Sequence, residues 1–401
     1  MSAWTRVVIA GAGCVGSALA CALASRGVPV VLLDPQPPPQ PGARQAVDPR
    51  VYALTLASQA VLEGLGAWDA VRPGACPYER MEVWDAEGTG SLRFDAAETG
   101  ECCLGHIVEP HRILAALAAC GERFGVERRR DRVTDFQVHA RHVEVWLASG
   151  DRMEAALLVG ADGAGSRVRT LAGIPLDVLD YAQTAVVATV RTELPHGRVA
   201  RQRFMPSGPL AFLPLADGRS AIVWTTTPEA AEELLALDEA DFCAAVTEAF
   251  GRRLGRVLSA EARAGFPLRR RHAAAYVQPR LALVGDAAHT IHPLAGQGVN
   301  LGLLDAAALA QVVAQARRRG RDPGALPTLR RYERWRRGDN LMMMRAMDGF
   351  RWLFGPRPAP VREVRNLGLR LVDRLVPVKQ LLARRAMGLT GDLPELARYL
   401  P

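Results

Sequence analysis

Short apolar runs that end at a glycine or an acid recur along this chain. Four of them span residues 7–10, 28–33, 155–160 and 281–284. Their length and their valine and leucine content predict buried strands, and the first and the last run are each followed by a helical pattern. This order is typical of an open α/β sheet, in which ligands collect at the carboxyl ends of the strands.

The first run leads into a glycine-rich loop. Gly11, Gly13 and Gly16 form the pattern G-x-G-x-x-G around Val15, and Asp34 follows the second strand. In dinucleotide-binding folds these glycines allow a tight turn, a close approach to a pyrophosphate, and packing of helix on strand. The helix N-terminus favours phosphate charge, and the acid binds a ribose. The pattern predicts a dinucleotide site and leaves NAD and FAD both open.

Two more acids stand at predicted strand ends. Asp162 precedes Gly163, and Asp286 is followed by two histidines, a proline and two glycines before a helical pattern resumes. A carboxylate there, beside glycines that let backbone amides approach closely, indicates a ligand rather than core packing. Arg112, at the start of a predicted helix, could reach a phosphate, although a solvated arginine is the plainer interpretation.

Between residues 177 and 271 the pattern changes to β-rich runs with turn signals at 206–208 and 217–218. It predicts a mostly antiparallel sheet inserted between parts of the dinucleotide fold. Such a sheet could form a substrate wall beside a cofactor. For Phe212 and Trp224 we expect packing between this sheet and helices, with a pocket-lining role as the alternative.

Composition excludes several classes of protein. The formal charge is +8 and Lys379 is the only lysine, but the arginines are scattered and accompany no nucleic-acid motif, so we expect no nucleic acid. The seven cysteines have neither metal-site nor disulfide spacing, so we expect a reducing cytosol and no metal. The stretch 7–24 is apolar enough to resemble a signal peptide, but Arg6 is its only charged flank and three regularly placed glycines lie within it, so we do not expect export. No other run reaches the ~18 uninterrupted apolar residues of a transmembrane helix.

Three features in this order resemble the flavin-dependent aromatic hydroxylases: the glycine loop, Ala161-Asp162-Gly163, and Gly285-Asp286 before a glycine-rich helix start. The segments DPRVYAL, GPLAFLPLADGRSAIVW and GDAAHTIHPLAGQGVNLG resemble more closely the hydroxylases of ubiquinone biosynthesis, the UbiH, UbiF and COQ6-like proteins. The resemblance extends from residue 5 to about residue 390, and its last segment alone matches over eighteen positions.

The resemblance implies FAD as the cofactor, with Asp286 as the ligand of its ribityl chain and the start of the following helix at the flavin ring. Asp34 replaces the glutamate more usual at the ribose. His289 and His292 are expected to be hydrogen-bonded structural histidines, and no catalytic base is assigned. The expected cofactor-binding residues are Gly11, Gly13, Val15, Gly16, Asp34, Arg50, Arg112, Asp162, Asp286, Gly296, Gly298 and Asn300.

The implied reaction is a monooxygenation. NAD(P)H reduces FAD, and the flavin then uses O2 to hydroxylate the ring of a polyprenyl phenol or quinol precursor of ubiquinone, in a site that excludes water. No second G-x-G-x-x-G appears, so the nicotinamide is expected to visit only transiently. A hydroxylase of a soluble aromatic or polyketide, and a non-catalytic flavoprotein subunit of a biosynthetic complex, are the alternatives. The W-x-W-x-I-P signature of flavin halogenases is absent.

The expected fold is α/β, with a Rossmann-type FAD-binding domain, an inserted mostly antiparallel substrate domain and a C-terminal helical region. The expected segments are 1–75, 101–176 and 272–325 for the FAD-binding domain, 76–100 and 177–271 for the substrate domain, and 326–401 for the helical region.

The helical region contains a basic amphipathic helix, interrupted at Pro377. Its apolar stripe consists of Val364, Leu367, Leu371, Leu375, Val378 and Leu382, with Arg365, Arg370, Arg374 and Lys379 nearby. We expect the stripe to dock on the protein's own core, with a membrane or a partner surface as the alternative. We expect the protein in the cytoplasm. The sequence leaves open whether it also contacts the inner face of the cytoplasmic membrane, other ubiquinone-biosynthesis proteins or a second copy of itself in a homodimer.

Overall fold

The computed structural model describes residues 6–37, 49–292, 296–355 and 358–399. Within these residues twenty strands form four sheets: β1 Val7–Ala10, β2 Val30–Leu33, β3 Tyr52–Leu54, β4 Cys76–Tyr78, β5 Arg80–Asp85, β6 Ser91–Asp95, β7 Gly105–Val108, β8 Glu127–Arg129, β9 Val133–Val138, β10 Val143–Leu147, β11 Arg152–Ala155, β12 Leu157–Gly160, β13 Leu176–Thr192, β14 Val199–Met205, β15 Gly208–Pro214, β16 Ser220–Thr226, β17 Val257–Ala273, β18 Val277–Gln278, β19 Leu281–Leu283 and β20 His289–Thr290.

The same described residues contain eleven α-helices. They are α1 Cys14–Ala24, α2 Leu56–Gly64, α3 Trp68–Val71, α4 Pro110–Arg123, α5 Arg167–Leu171, α6 Pro228–Ala236, α7 Glu239–Ala249, α8 Gly298–Arg318, α9 Leu326–Phe354, α10 Ala359–Arg374 and α11 Val376–Ala386. A short 3-10 turn, Gly285–Ala287, follows β19.

The fold is built around a six-stranded sheet in the order β18-β19-β12-β1-β2-β8, parallel throughout except for β18. Strands β1, β2, β12 and β19 are wholly buried, which explains why they read as continuous apolar runs rather than as alternating ones. One hydrophobic core joins these strands to α1 and α8. The predicted α/β class is confirmed.

A second, eight-stranded sheet has the order β20-β17-β13-β16-β15-β14-β5-β6, and its pairs are antiparallel except for β14 with β5. Its long strands β13 and β17 each span 17 residues. Helices α6 and α7 pack on one face. The mostly antiparallel sheet predicted between residues 177 and 271 is therefore present, and β5 and β6 extend it at one edge.

Two small sheets complete the fold, β11-β10-β9 and β3-β7-β4. The segment boundaries chosen from the sequence remain predictions, but the sheets cross two of them. Strand β4, from the segment 76–100, pairs with β7 rather than with the large sheet. Strand β20, from the segment 272–325, pairs with β17 of the large sheet.

Helices α10 and α11 face the opposite way from our expectation. All six stripe residues are exposed, by 42% to 69%: Val364, Leu367, Leu371, Leu375, Val378 and Leu382. The basic residues Arg365 and Lys379 lie buried underneath, paired with Asp85 and Glu98. The prediction that the stripe docks on the protein's own core is wrong, because these acids attract the basic side of the helices.

Asp85 explains this orientation. It lies at the end of β5 with only 4% of its surface exposed, and one of its oxygens accepts hydrogen bonds from Arg365 and Asn366. A carboxylate buried without a cation would be strongly destabilising, so α10 must present its arginine inward. The break between α10 and α11 falls at Leu375, and Pro377 occupies the first turn of α11, where proline is tolerated.

Helix α8 is the one helix of the described residues that is long and apolar enough to cross a membrane. The rest of the protein buries 83% of the apolar stretch of α8, a burial that is also typical of a helix in a protein core. The apolar stretch near the N-terminus forms β1 and α1 in the same core. All seven cysteines are free thiols.

Candidate active site

Four strands end together at one edge of the parallel sheet. The register pairs Ala10 with both Leu33 and Gly160, and Gly160 with Leu283. The glycine loop and the three strand-end acids follow directly after these residues. Segments far apart in the sequence are thus brought side by side at the carboxyl edge of the sheet, where ligands bind in open α/β folds.

The three glycines of the loop have different surroundings. Gly11 has a φ of +101°, and a Cβ added to it would lie 2.3 Å from the Ala161 carbonyl oxygen. A Cβ added to Gly16 would lie 1.9 Å from the carbonyl oxygen of Gly11. A Cβ added to Gly13 would meet nothing within 4 Å. The backbone itself therefore requires two of these glycines, whereas Gly13 borders open space.

Helix α1 begins at this loop without a side-chain cap and without an acid in its first turn. Its first amides and its dipole are therefore available to an anion. Asp34 lies beside the loop and accepts hydrogen bonds from the amides of Ala12, at 2.7 Å, and Gln36, at 2.8 Å. Asp34 thus holds the loop in shape and remains half-buried at its rim.

Val15 connects this loop to the other end of the site. A Cβ added to Gly302 would lie 2.5 Å from Val15 Cγ2, and one added to Gly285 would lie 3.2 Å from Val15 Cγ1. The Val15 side chain therefore packs between α8 and the turn that carries Asp286. Because this side chain is engaged in packing, the group of Val15 that is available to a cofactor is its backbone amide, near the start of α1.

Asp286 stands in the turn after β19. Its side chain is exposed to solvent, although protein atoms lie close enough to its carboxyl group to desolvate it. Desolvation by those atoms raises its pKa above the ordinary value, and the nearby charges of His289, Arg271 and Arg50 act in the opposite direction. An accessible carboxylate with cationic groups nearby is suited to accept hydrogen bonds from ligand hydroxyls.

The two predicted arginines differ in their surroundings. The Arg50 guanidinium lies 5.2 Å from the centroid of the Phe266 ring, and its charge partly offsets the rise that desolvation causes in the pKa of Asp286. Arg112, in the first turn of α4, donates a hydrogen bond to Glu109 at 2.9 Å. No contact among the described residues links Arg112 to the glycine loop, so its cofactor role remains a prediction.

Asp162 is occupied within its own loop. One carboxylate oxygen accepts from the Ser166 hydroxyl at 2.5 Å and the other from the Val168 amide at 3.1 Å, which fixes the start of α5. The adjacent Gly163 has a φ of +78° and open space beside it. A contact between this loop and a cofactor would therefore come from its backbone, not from the carboxylate.

The start of α8 is held in place by Asn300. This buried side chain accepts a hydrogen bond from the Thr55 amide at 3.0 Å and donates one to the Ala53 carbonyl at 2.8 Å. Gly296 has a φ of +61° and packs against Ala53, whereas Gly298 has nothing within 4 Å of an added Cβ. The Asn300 side chain is therefore engaged by the protein, whereas Gly298, the first residue of α8, borders open space.

A cavity of about 180 Å³ begins at Gly296 and Gln297. It extends between the eight-stranded sheet, the sheet β3-β7-β4 and α11, where Ala383 and Ala386 line it. None of the described residues that line it is charged. The space beside the start of α8 is therefore apolar and suited to an apolar ligand.

The pleat of β15 and β16 assigns neighbouring residues to opposite faces. Ala211 and Val223 line the cavity. Phe212 instead stacks on Phe250 with ring centroids 3.9 Å apart, and Trp224 is buried in the same cluster beneath α6 and α7. The prediction that Phe212 and Trp224 serve packing is confirmed.

The two histidines differ in their contacts. His289 Nε2 lies 2.6 Å from Asp305 Oδ2, in agreement with a structural, hydrogen-bonded histidine. His292 is buried against Tyr181, with ring centroids 4.8 Å apart, and burial lowers its pKa to about 4. Its ring nitrogens have no hydrogen-bond partner within the described part of the chain, which omits residues 293–295.

Two buried charged residues that the sequence analysis did not single out hold the Gly285–Ala287 turn. Asp305 of α8 accepts a hydrogen bond from the Gly285 amide at 3.2 Å. Arg169 of α5 donates to the carbonyls of Ala287, at 2.9 Å, and Ala164, at 3.0 Å. A signal was available for Asp305, since it is an acid inside the otherwise apolar run LGLLDAAALA.

Comparison with known proteins agrees with a flavin site. The family model described as an FAD binding domain matches residues 4–343. The chain is 42% identical to the 3-demethoxyubiquinol 3-hydroxylase of Escherichia coli, over 96% of this chain and 99% of that protein. It is 40% identical to the ubiquinone hydroxylase UbiL of Rhodospirillum rubrum, with coverage of 98% and 93%. Identity to the mitochondrial ubiquinone biosynthesis monooxygenase COQ6 of Danio rerio is 36%, with coverage of 93% and 88%.

Solved structures share the fold. p-Nitrophenol 4-monooxygenase PnpA from Pseudomonas putida matches with a TM-score of 0.77 at 21% identity, covering 96% of this chain and 98% of that one. The anhydrotetracycline hydroxylase OxyS from Streptomyces rimosus matches with a TM-score of 0.72 at 27% identity, covering 99% and 80%. The chain therefore belongs to the FAD-dependent monooxygenase family that includes the hydroxylases of ubiquinone biosynthesis, and it is a flavoprotein enzyme.

Proposed function

We propose that this enzyme hydroxylates the aromatic ring of a polyprenylated phenol or quinol on the route to ubiquinone, with NAD(P)H and O2 as co-substrates. Relatives with 36–42% identity carry the names of ubiquinone hydroxylases, and the match extends over nearly their whole length. The observation that carries the proposal is the uncharged apolar cavity between the start of α8 and α11. A prenylated ring needs such a lining, because a charged group there would lose its hydration without gaining a partner.

In this proposal, residues at the strand ends hold FAD along its length. The pyrophosphate would lie at Gly13 and the start of α1, where the backbone borders open space and no side chain caps the helix. Asp34 would bind the ribose, Asp286 the ribityl hydroxyls, and the start of α8 would lie beside the flavin ring. Bound FAD supplies the redox chemistry by accepting hydride from NAD(P)H and activating O2.

The chain's own contribution to the reaction is to orient the substrate and exclude water. The cavity lining includes the uncharged polar side chains Gln202 and Thr225, which can form hydrogen bonds with ring hydroxyls. The remaining lining is largely apolar, which keeps water away from the reacting oxygen. We assign no catalytic base, because no described residue in the lining carries a charge.

We further propose that the enzyme works at the inner face of the cytoplasmic membrane, with α10 and α11 on the lipid surface. Residues 359–386 contain seven basic and two acidic residues, and Arg374, Arg384 and Arg385 are exposed beside the outward stripe. Exposed leucines next to arginines are typical of helices that lie in an anionic lipid interface. The same helix α11 lines the cavity through Ala383, so a substrate held in the bilayer would be close to the site.

The reaction is tested by lipid-extract mass spectrometry of cells that lack this protein, together with turnover by the purified enzyme. We expect a prenylated precursor that lacks one ring hydroxyl to accumulate, and we expect this precursor to stimulate NAD(P)H oxidation and yield the hydroxylated product. Stimulation by unprenylated phenols or polyketides alone would favour a soluble substrate. No stimulation by any phenol would favour a non-catalytic flavoprotein subunit.

The cofactor site is tested by Asp286→Ala. Removing the carboxylate leaves ligand hydroxyls without their acceptor, which costs about 1–3 kcal/mol and weakens FAD binding about 5- to 150-fold. FAD titration of the apoprotein measures the effect, and Asp151→Ala, at an exposed acid of the β10–β11 turn, is the control. Full FAD affinity in Asp286→Ala would exclude this residue from the site.

A further inference from the structure

Asp305 of α8 and Arg336 of α9 form a completely buried ion pair beside the proposed flavin site. Arg336 Nε lies 3.0 Å from Asp305 Oδ1, and the two side chains are 1% and 0% exposed. Burying two charges is costly unless hydrogen bonds satisfy both groups, and an apolar pair of similar volume would often be at least as stable. The position of this pair therefore suggests a role beyond stability.

The Asp305 carboxylate is bound on all sides. Oδ2 accepts from the Gly285 amide at 3.2 Å and faces His289 Nε2 at 2.6 Å, while Oδ1 accepts from Arg336 Nε at 3.0 Å and Asn340 Nδ2 at 3.1 Å. Arg336 also donates to the Asn340 side-chain oxygen at 3.0 Å. With both oxygens engaged, the carboxylate is fixed in position and in orientation.

The object held by this network is the turn that carries Asp286. Gly285 has a φ of +58°, in the left-handed region, and its amide is the one bound by Asp305. One helical turn before Arg336, the Tyr332 hydroxyl donates to the Leu283 carbonyl at 2.8 Å. Helix α9 therefore acts on the end of β19 directly and on the following turn through Asp305.

We propose that Asp305 and Arg336 are positioning residues that aim the Asp286 carboxylate at the ribityl chain of FAD. The inference rests on the proposed role of Asp286. It assigns part of the flavin site to α9, which lies outside the glycine loop and both strand-end motifs. Displacing this network would move Asp286 away from its ligand while leaving the parallel sheet intact.

FAD titration of apoproteins tests the inference. We expect Arg336→Met to raise the Kd for FAD about tenfold, the loss expected for one misplaced hydrogen bond, and Arg336→Lys to restore part of it. The matched control is Arg280→Met, at a buried arginine paired with Asp322 before β19, at the far end of that strand. We expect it to lower the melting temperature of the apoprotein similarly and to leave the Kd unchanged.

A double-mutant cycle separates positioning from general damage. If Arg336 acts through Asp286, adding Arg336→Met to Asp286→Ala should change the Kd no further. Equal effects of Arg336→Met in both backgrounds, or equal FAD loss in Arg280→Met, would overturn the inference. Should Arg336→Met not fold, Asp305→Asn replaces it with the same expected result. Unchanged FAD binding in Asp286→Ala would instead overturn the proposed cofactor site itself.

Discussion

At the scale of single residues, we expect opposite outcomes for substitution of Gly13 and of Gly16, which lie three residues apart in the glycine loop. Gly13→Val adds a side chain into open space, so the apoprotein should fold, but the side chain would occupy the space assigned to the pyrophosphate. We expect FAD binding to weaken at least about tenfold, with little change in the melting temperature of the apoprotein. FAD titration and thermal melting followed by circular dichroism measure the two effects.

Gly16→Val is the companion variant. Its Cβ would lie 1.9 Å from the Gly11 carbonyl oxygen, so helix α1 could not pack on the loop, and we expect misfolded protein. If Gly13→Val bound FAD normally, the loop would not be part of the cofactor site. If Gly16→Val folded as well as the parent, the close packing of helix on loop would not be needed for the fold.

At the scale of elements, strand β15 carries cavity and core residues in alternation. Ala211→Trp should fill the cavity and abolish ring hydroxylation, while FAD binding remains. Phe212→Ala should lower the free energy of unfolding by about 3–5 kcal/mol, because it opens a void beside Phe250, and should leave turnover by the folded fraction unchanged. Urea denaturation and product analysis distinguish the two, and normal turnover in Ala211→Trp would move the substrate elsewhere.

Helix α10 makes a similar contrast between its two faces. The pair Leu367→Glu and Leu371→Glu should reduce sedimentation with anionic vesicles and leave the free energy of unfolding nearly unchanged, since both side chains are more than half exposed. Arg365→Ala should instead destabilise the protein by about 3–5 kcal/mol, because it leaves Asp85 buried without its cation. Vesicle sedimentation and urea denaturation measure these outcomes.

Charge should matter to the same contact. Changing the exposed Arg374, Arg384 and Arg385 to Glu should weaken vesicle binding at low ionic strength without loss of FAD. Arg365 is unsuitable for this test because it is buried, and the Arg370 side chain lies outside the described residues. Equal binding to neutral and anionic vesicles would show a lipid contact that does not depend on these arginines, and binding to neither would leave the stripe to a partner protein or to a second copy of the chain.

At the scale of the whole molecule, buried neutral histidines make stability depend on pH. Desolvation lowers the pKa of His106 to about 4, and it is the largest cause of the lowering of the His292 pKa, also to about 4. A histidine in the unfolded chain binds a proton near pH 6.5. Between these values the unfolded state binds more protons, so stability is full above pH 6.5 and falls as the pH drops toward 4. At pH 5 the loss is about 2 kcal/mol for each histidine.

Urea denaturation at pH 7.5 and pH 5 measures this loss. His106→Phe keeps an aromatic ring beside Trp68 and removes one titrating group, so its loss over this range should be smaller by about 2 kcal/mol. The same loss in this variant and in the parent would show that His106 is not the group that titrates.

The sequence by itself determined the elements and the motifs of the site. The apolar runs that became β1, β2, β12 and β19, the glycine loop and the acids after the strands could all be predicted, because strand length, glycine spacing and turn residues are local properties. The resemblance of these segments to a family added the cofactor. The sequence left open which hydrogen-bond partner each polar side chain binds.

Only the tertiary structure decided those contacts. The Asn300 side chain is engaged by β3 and by the residue that caps α2, the Asp162 carboxylate by α5, and Asp305 joins α8 to α9 and to the turn that carries Asp286. It also decided that α10 turns its leucines outward, because the buried partner of Arg365 is Asp85, 280 residues earlier in the chain. Helical periodicity marks the two faces of a helix, but which face is buried depends on charges brought near it by the rest of the fold.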